Sequence, residues 1–117
     1  MASAVKLYHN PRCSKSRQVL QLIESKGINI DVIEYIKQPP SYRELEQLLE
    51  LLGLEPRQLM RTSEKLYKEN KLDDPSLSRE DLIEAMTEHP KLIERPIVIH
   101  QGKAVIGRPP EKILEII

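Results

Sequence analysis

Cys13 is the only cysteine in a chain of 117 residues, and its sequence neighbours are of the types that turn a thiol into a nucleophile. Arg12, Lys15 and Arg17 bring positive charge close to it, and His9 lies four residues before it. A β-favouring stretch ends at Asn10-Pro11 and a helical pattern follows, so the sulfur falls at a helix mouth. There, unpaired backbone N–H groups and the helix dipole favour negative charge. Such a position, with adjacent cations, brings a cysteine pKa from about 8.5 into the range of roughly 3.5 to 7.5. His9 is placed to add charge or a hydrogen bond. The opposing use of a cysteine is as a small buried apolar residue. Pro-Arg before it and Ser-Lys-Ser-Arg after it argue for an accessible thiol instead.

The tetrad Cys13-Ser14-Lys15-Ser16 has the spacing of a thioredoxin-type redox motif with serine where the second thiol would stand. Thiol-disulfide chemistry needs an attacking second thiol. With one cysteine the chain must borrow it, and glutathione and a glutaredoxin are the obvious donors. A lone cysteine also rules out an internal disulfide, which fits a reducing, cytoplasmic setting. There are 18 Lys and Arg against 18 Asp and Glu, so no global positive field gathers nucleic acid or an anionic membrane. Any anion site must be local. The longest apolar runs, such as Ile97-Val98-Ile99, fall far short of the roughly 20 residues of a membrane span, and no secretory apolar segment is read at the N-terminus. His89 before Pro90 and His100 in a hairpin read as surface or capping residues, and without a Cys/His cluster no metal site is expected.

The elements that must position these residues follow from patterning. Val5 to Tyr8 reads as a strand, and Ser14 to Lys26 as a helix with Val19, Leu20 and Ile23 on one face and Gly27 as terminator. Arg17 shares the polar face of that helix. Ile28 to Ile36 reads as a second strand, giving a βαβ start with a parallel pair. Ser41 to Glu44 spells a capping box ahead of Leu45, Leu48, Leu49 and Leu52; Pro56 opens a short helix; Ser78 to Asp81 spells a second box, and Pro90 closes its helix. After Arg95-Pro96, Ile97 to Ile99 and Ala104 to Ile106 flank Gln101-Gly102 as an antiparallel hairpin. Pro109-Pro110 begins a final helix carrying Ile113, Leu114 and Ile117. The expected fold class is α/β: one domain over residues 1–117, a mixed sheet flanked by helices, with a helical insertion at roughly 41–93 between βαβ and ββα halves.

The run His9-Asn10-Pro11-Arg12-Cys13-Ser14-Lys15-Ser16-Arg17 resembles the His-x3-Cys-x3-Arg signature of the thioredoxin-like arsenate reductase (ArsC) family. The likeness continues through Tyr35, Pro39-Pro40-Ser41, Leu59-Met60-Arg61, His89-Pro90, Leu92-Ile93, Glu94-Arg95-Pro96-Ile97-Val98 and Gly107-Arg108-Pro109, nearly the whole chain. The resemblance implies a thioredoxin-like, glutaredoxin-type fold and a nucleophilic Cys13 among three arginines, which fall on Arg61, Arg95 and Arg108. Guanidinium groups suit a tetrahedral oxyanion because they give fixed, charge-assisted, often bidentate hydrogen bonds. It further implies a cis bond before Pro96, facing the cysteine, and assigns Ser16 a hydrogen bond to sulfur, His9 a role in setting the thiolate, and Arg17 a supporting place.

The activity implied is reduction of arsenate by glutathione as co-substrate and glutaredoxin as partner, with no tightly bound cofactor. The chain stops soon after its last helix, as in the short chromosomal branch of the family, so the oxidant there is arsenate, another anion or a disulfide. Two alternatives share the fold. One is a thiol-based regulator like the Spx-type proteins that contact RNA polymerase, which commonly carry a paired Cys-x-x-Cys. The other is a monothiol oxidoreductase acting on mixed disulfides, which has no use for remote arginines.

Overall fold

A computed structural model of the protein describes residues 4–117. Two compact units divide them: one comprises residues up to Gln38 together with Arg95–Ile117, and the other is Pro39–Glu94.

The first unit is built on a four-stranded sheet in the order β2-β1-β3-β4, formed by β1 (Val5–His9), β2 (Ile30–Glu34), β3 (Ile97–His100) and β4 (Lys103–Ile106). β1 runs parallel to β2 and antiparallel to β3, so the sheet is mixed. The parallel pair requires a crossover, which is α1 (Ser14–Ser25). Val19 and Ile23 of α1 are fully buried with Val5, Leu7, Val98 and Ile113. A fully buried aliphatic side chain of this kind contributes about 1.5–3 kcal/mol relative to an exposed one. The β3–β4 hairpin turns at Gln101 and Gly102, whose φ angles of 50° and 77° fit a tight turn of inverted hand.

The second strand is shorter than the expected Ile28–Ile36, because after Glu34 the chain turns: the Lys37 and Gln38 amides both bond the Glu34 carbonyl. The last element also differs. Pro110–Glu115 is a 3₁₀ helix. Over six residues the apolar spacing does not separate a 3₁₀ from an α-helix, and the bonds observed, Lys112 N–H to Pro109 O and Ile116 N–H to Ile113 O, are the tighter kind.

The helical unit contains α2 (Tyr42–Leu52), α3 (Pro56–Leu59), α4 (Lys65–Glu69), α5 (Arg79–Glu88) and a 3₁₀ turn at Pro90–Leu92. Both capping boxes form: the Glu44 amide donates to Ser41 Oγ at 3.1 Å and the Asp81 amide to Ser78 Oγ at 3.1 Å. The α2 stripe Leu45, Leu48 and Leu49 is buried, as are Leu82, Ile83 and Met86 of α5, and α2 and α3 pack on α5. Gly53 ends α2 in the left-handed region at φ 67°. Among the described residues, no helix is long and apolar enough to cross a membrane.

Candidate active site

The loop between β1 and α1 is organised by Asn10. Its side-chain oxygen accepts the Arg12 amide at 3.0 Å, its carbonyl accepts the Cys13 amide at 3.0 Å, and its own amide donates to Ser16 Oγ at 3.0 Å. An asparagine before proline, bonding its own following backbone, is a turn-forming device. Sequence reasoning used Asn10 only to end a strand, although the Asn-Pro pair carried this signal. Arg17, expected as a supporting residue, donates from Nη1 to the Pro11 carbonyl at 2.9 Å and so ties the helix back to the loop.

Cys13 is the N-cap of α1, with extended backbone at φ −95° and ψ 122°; its carbonyl accepts the Arg17 amide to begin the helix. The first turn holds no acidic residue. The thiol is buried, with 8% of its surface exposed, which corrects the expectation of an accessible sulfur. The polar flanking residues Arg12, Ser14 and Lys15 are exposed around it, so the hydrophilic spelling describes the rim of the site and not the sulfur itself.

Burial alone pushes the Cys13 thiol up. The Ser16 amide, the hydrogen bond and charge of Arg95, and the Lys15 amide outweigh it, and the thiol sits below its ordinary pKa. The arrangement favours thiolate by hydrogen bonding to the charged form, against desolvation. Arg108 approaches from the other end of the chain: its Nη2 lies 3.8 Å from Cys13 Sγ, and its Nε donates to the Arg95 backbone carbonyl at 2.7 Å. Arg95 therefore acts twice, with its guanidinium on the sulfur and its carbonyl aiming Arg108. The Arg95–Pro96 bond is cis, as expected, and Arg108–Pro109 is cis as well, which nothing in the sequence reading anticipated.

His9 and Ser16 are both buried, and His9 Nδ1 lies 2.6 Å from Ser16 Oγ. Burial lowers the His9 pKa; Glu34, its register partner on β2, opposes this, and Arg17 adds to the lowering. The net shift is downward, so the ring is neutral at pH 7 and contributes a hydrogen bond in place of a charge. The Ser16 hydroxyl is taken up by His9 and the Asn10 amide. It is the backbone N–H of Ser16, not the hydroxyl expected from the sequence, that favours the thiolate.

Arg61 belongs to the helical unit. There its amide donates to the Leu92 carbonyl at 2.7 Å beside the Met60–Ile93 bridge, and its Nη1 pairs with Glu64 at 3.0 Å. Of the other histidines, His89 ends α5, and His100 Nδ1 lies 2.6 Å from the Ile116 carbonyl, so both are capping residues. Among the described residues, no group of three or more His, Cys, Asp and Glu side chains is arranged to hold a metal.

A mixed β2-β1-β3-β4 sheet with a cysteine capping the first helix and a cis proline ahead of β3 defines a thioredoxin-like protein with a single thiol. A family model described as the ArsC family matches residues 8–116, and the chain belongs to that family. It is 53% identical to the uncharacterized protein YfgD of Escherichia coli K12, covering 100% of this chain and 99% of that one. It is 50% identical to an arsenate reductase of Haemophilus influenzae, over 97% of this chain and 99% of the relative. Among solved structures, the arsenate reductase from Vibrio cholerae superposes with a TM-score of 0.97 at 54% identity, covering both chains fully.

Proposed function

We propose that the protein is an arsenate reductase of the cytoplasm, with Cys13 as nucleophile and glutathione and glutaredoxin as electron donors. The observation that carries this reading is the guanidinium of Arg108 at 3.8 Å from a sulfur already biased toward thiolate. A cation there favours thiolate in any thiol chemistry, but two guanidinium groups gathered at one sulfur also offer the fixed, charge-assisted hydrogen bonds that suit an oxyanion. The names of the Haemophilus and Vibrio relatives support the same substrate.

In this mechanism Arg95 and Arg108 hold arsenate oxygens, and the matched family motif adds Arg61 as a third cation. Cys13 Sγ forms a bond to arsenic while one arsenate oxygen leaves as water, and the arginines offset charge gathering on the remaining oxygens. Glutathione supplies the second thiol. Arsenic(V) leaves as arsenite, and the two electrons come from the two sulfurs, which end as a Cys13–glutathione disulfide. Glutaredoxin then returns Cys13 to the thiol. His9 and Ser16 hold the loop and helix mouth in shape around the sulfur.

The test is arsenate-dependent oxidation of glutathione with glutaredoxin present, comparing the wild-type protein with Cys13→Ser. Turnover by the wild type alone supports the proposal, and equal rates reject it. Loss of turnover when glutaredoxin is withheld identifies the donor; an unchanged rate assigns the electrons to another thiol. RNA polymerase capture without turnover is the outcome that favours the regulator, against which Ser16 in place of a second cysteine already argues.

A further inference from the structure

Gly107 lies where the three pieces of chain that carry the site meet. It follows β4, is buried, and donates its amide to the Pro96 carbonyl at 2.8 Å. A Cβ at this position would stand 2.7 Å from Val19 Cγ2, 3.1 Å from Pro96 Cγ and 3.4 Å from Ile113 Cγ2. The first contact is shorter than carbon atoms tolerate, and the atom it meets has nowhere to go. Val19 is β-branched, lies within α1 and is fully buried, so its χ1 is held both by the helix and by the core around it. Gly107 adopts no left-handed φ. The requirement for glycine is therefore one of space.

The two nearest of these contacts and the next residue along the chain each carry one component of the site. Val19 stands on the helix that Cys13 caps, Pro96 is joined to Arg95, and Arg108 is the next residue along. We propose that Gly107 is a positioning residue: its missing side chain lets α1, the Arg95–Pro96 segment and Arg108 close together so that both guanidinium groups reach the sulfur. A methyl group there acts as a wedge. Relief comes by moving α1, the Pro96 segment or the Gly107–Arg108 backbone, and every one of these changes a sulfur-to-arginine spacing. Displacements on the order of 1 Å at such sites can cost about a hundredfold in rate. The inference rests on the reading of Arg95 and Arg108 as partners of the Cys13 thiolate, but not on arsenate as the substrate.

The experiment is a set of pH titrations of Cys13 alkylation by iodoacetamide, with circular dichroism and thermal melting to follow the fold. The variants are Gly107→Ala, Val19→Ala and the double substitution. Gly107→Ala is expected to raise the pH midpoint toward that of Arg95→Ala. Val19→Ala alone is expected to keep the wild-type midpoint, and the double substitution, which removes the atom at 2.7 Å, to restore it. A folded Gly107→Ala protein with an unchanged midpoint would overturn the inference. So would a double variant whose midpoint stays high. If Gly107→Ala alone does not fold, the double variant carries the test by the same criterion. Protection of wild-type Cys13 by added arsenate is measured in parallel: its absence rejects the proposed substrate and leaves the titration result readable.

Discussion

Helices α2 and α5 begin in one way and α1 in another. Ser41 and Ser78 each accept the amide three residues on, and Glu44 and Asp81 return the bond to the cap's own amide at 3.0 Å. In both helices the positive end is neutralised locally and nothing further is asked of it. At α1 the cap is Cys13, the first turn has no carboxylate, and the third position is Ser16, whose hydroxyl is held by His9 and Asn10. The amides of Ser16 and Lys15 are thus left to a sulfur, with guanidinium groups in place of a capping carboxylate. A helix start that is fully satisfied within four residues is structural. One that leaves its field to a titratable atom is poised for chemistry.

The sharpest way to break the comparison is to make α1 begin like the others. Cys13→Ser supplies an oxygen of the type that caps α2 and α5, so the fold should be retained, with stability within about 1 kcal/mol of wild type or above it. Arsenate reduction should nevertheless fall to background, because a serine oxygen cannot form the disulfide that carries the electrons. A thermal melt and a turnover assay on the same sample check both halves. Next in size, Arg108→Ala or Arg95→Ala removes a cation from the sulfur and should lower kcat/KM for arsenate by about 10²–10³-fold, as loss of one charge-stabilising donor does. Retained reduction of a glutathione mixed disulfide by these variants, with no arsenate turnover by the wild type, would instead indicate the monothiol oxidoreductase.

The contrast between helix starts also separates what the sequence discloses from what it conceals. Capping serines announce themselves because the box closes within four residues, and the leucine stripe of α2 does so because its period is local. Cys13 is local in its motif, and the family resemblance rests on that. Its burial is not local, nor is the approach of Arg108, 95 residues away, which depends on how β1, β3 and β4 align. The roles of Ser16 were exchanged for a related reason. A hydroxyl near a thiol suggests a bond to sulfur, but His9 is brought to it by the end of β1, and only the folded loop decides which partner the hydroxyl takes. Gly107 reads in sequence as part of a Gly-Arg-Pro motif; the crowding by Val19, Pro96 and Ile113 that requires it is tertiary.

The third prediction uses pH to sharpen the same difference. Cys13 is held below its ordinary pKa, so its alkylation by iodoacetamide should reach half its limiting rate below about 8.5, the value of a free cysteine. Linkage fixes the sign for stability. Between the folded and unfolded pKa values the unfolded chain binds more protons, so the contribution of Cys13 is fully present above the unfolded value and is lost as pH falls through the folded one. The lowered pKa of His9 acts in the same direction from about 6.5 downward, since protonation favours the unfolded chain. Denaturant melts of wild type and Cys13→Ser across this range should diverge as pH rises; parallel curves would mean the sulfur is not a thiolate.

The smallest effect belongs to the helices that look complete. Ser41→Ala and Ser78→Ala each remove the acceptor of one amide, while the paired carboxylate keeps its bond to the cap's backbone amide, so each should lower stability by about 1 kcal/mol. Neither residue is part of the proposed chemistry, and the pH midpoint of Cys13 alkylation should stay at its wild-type value in both variants. Denaturant melts measure the first quantity and the alkylation titration the second. Their independence is the content of the comparison: at α2 and α5 the cap contributes to folding alone, whereas at α1 a change of one atom, sulfur to oxygen, should leave folding nearly untouched and abolish turnover. A cap variant that moved the Cys13 midpoint without unfolding would show that the helix starts are coupled, and the distinction drawn between them would fail.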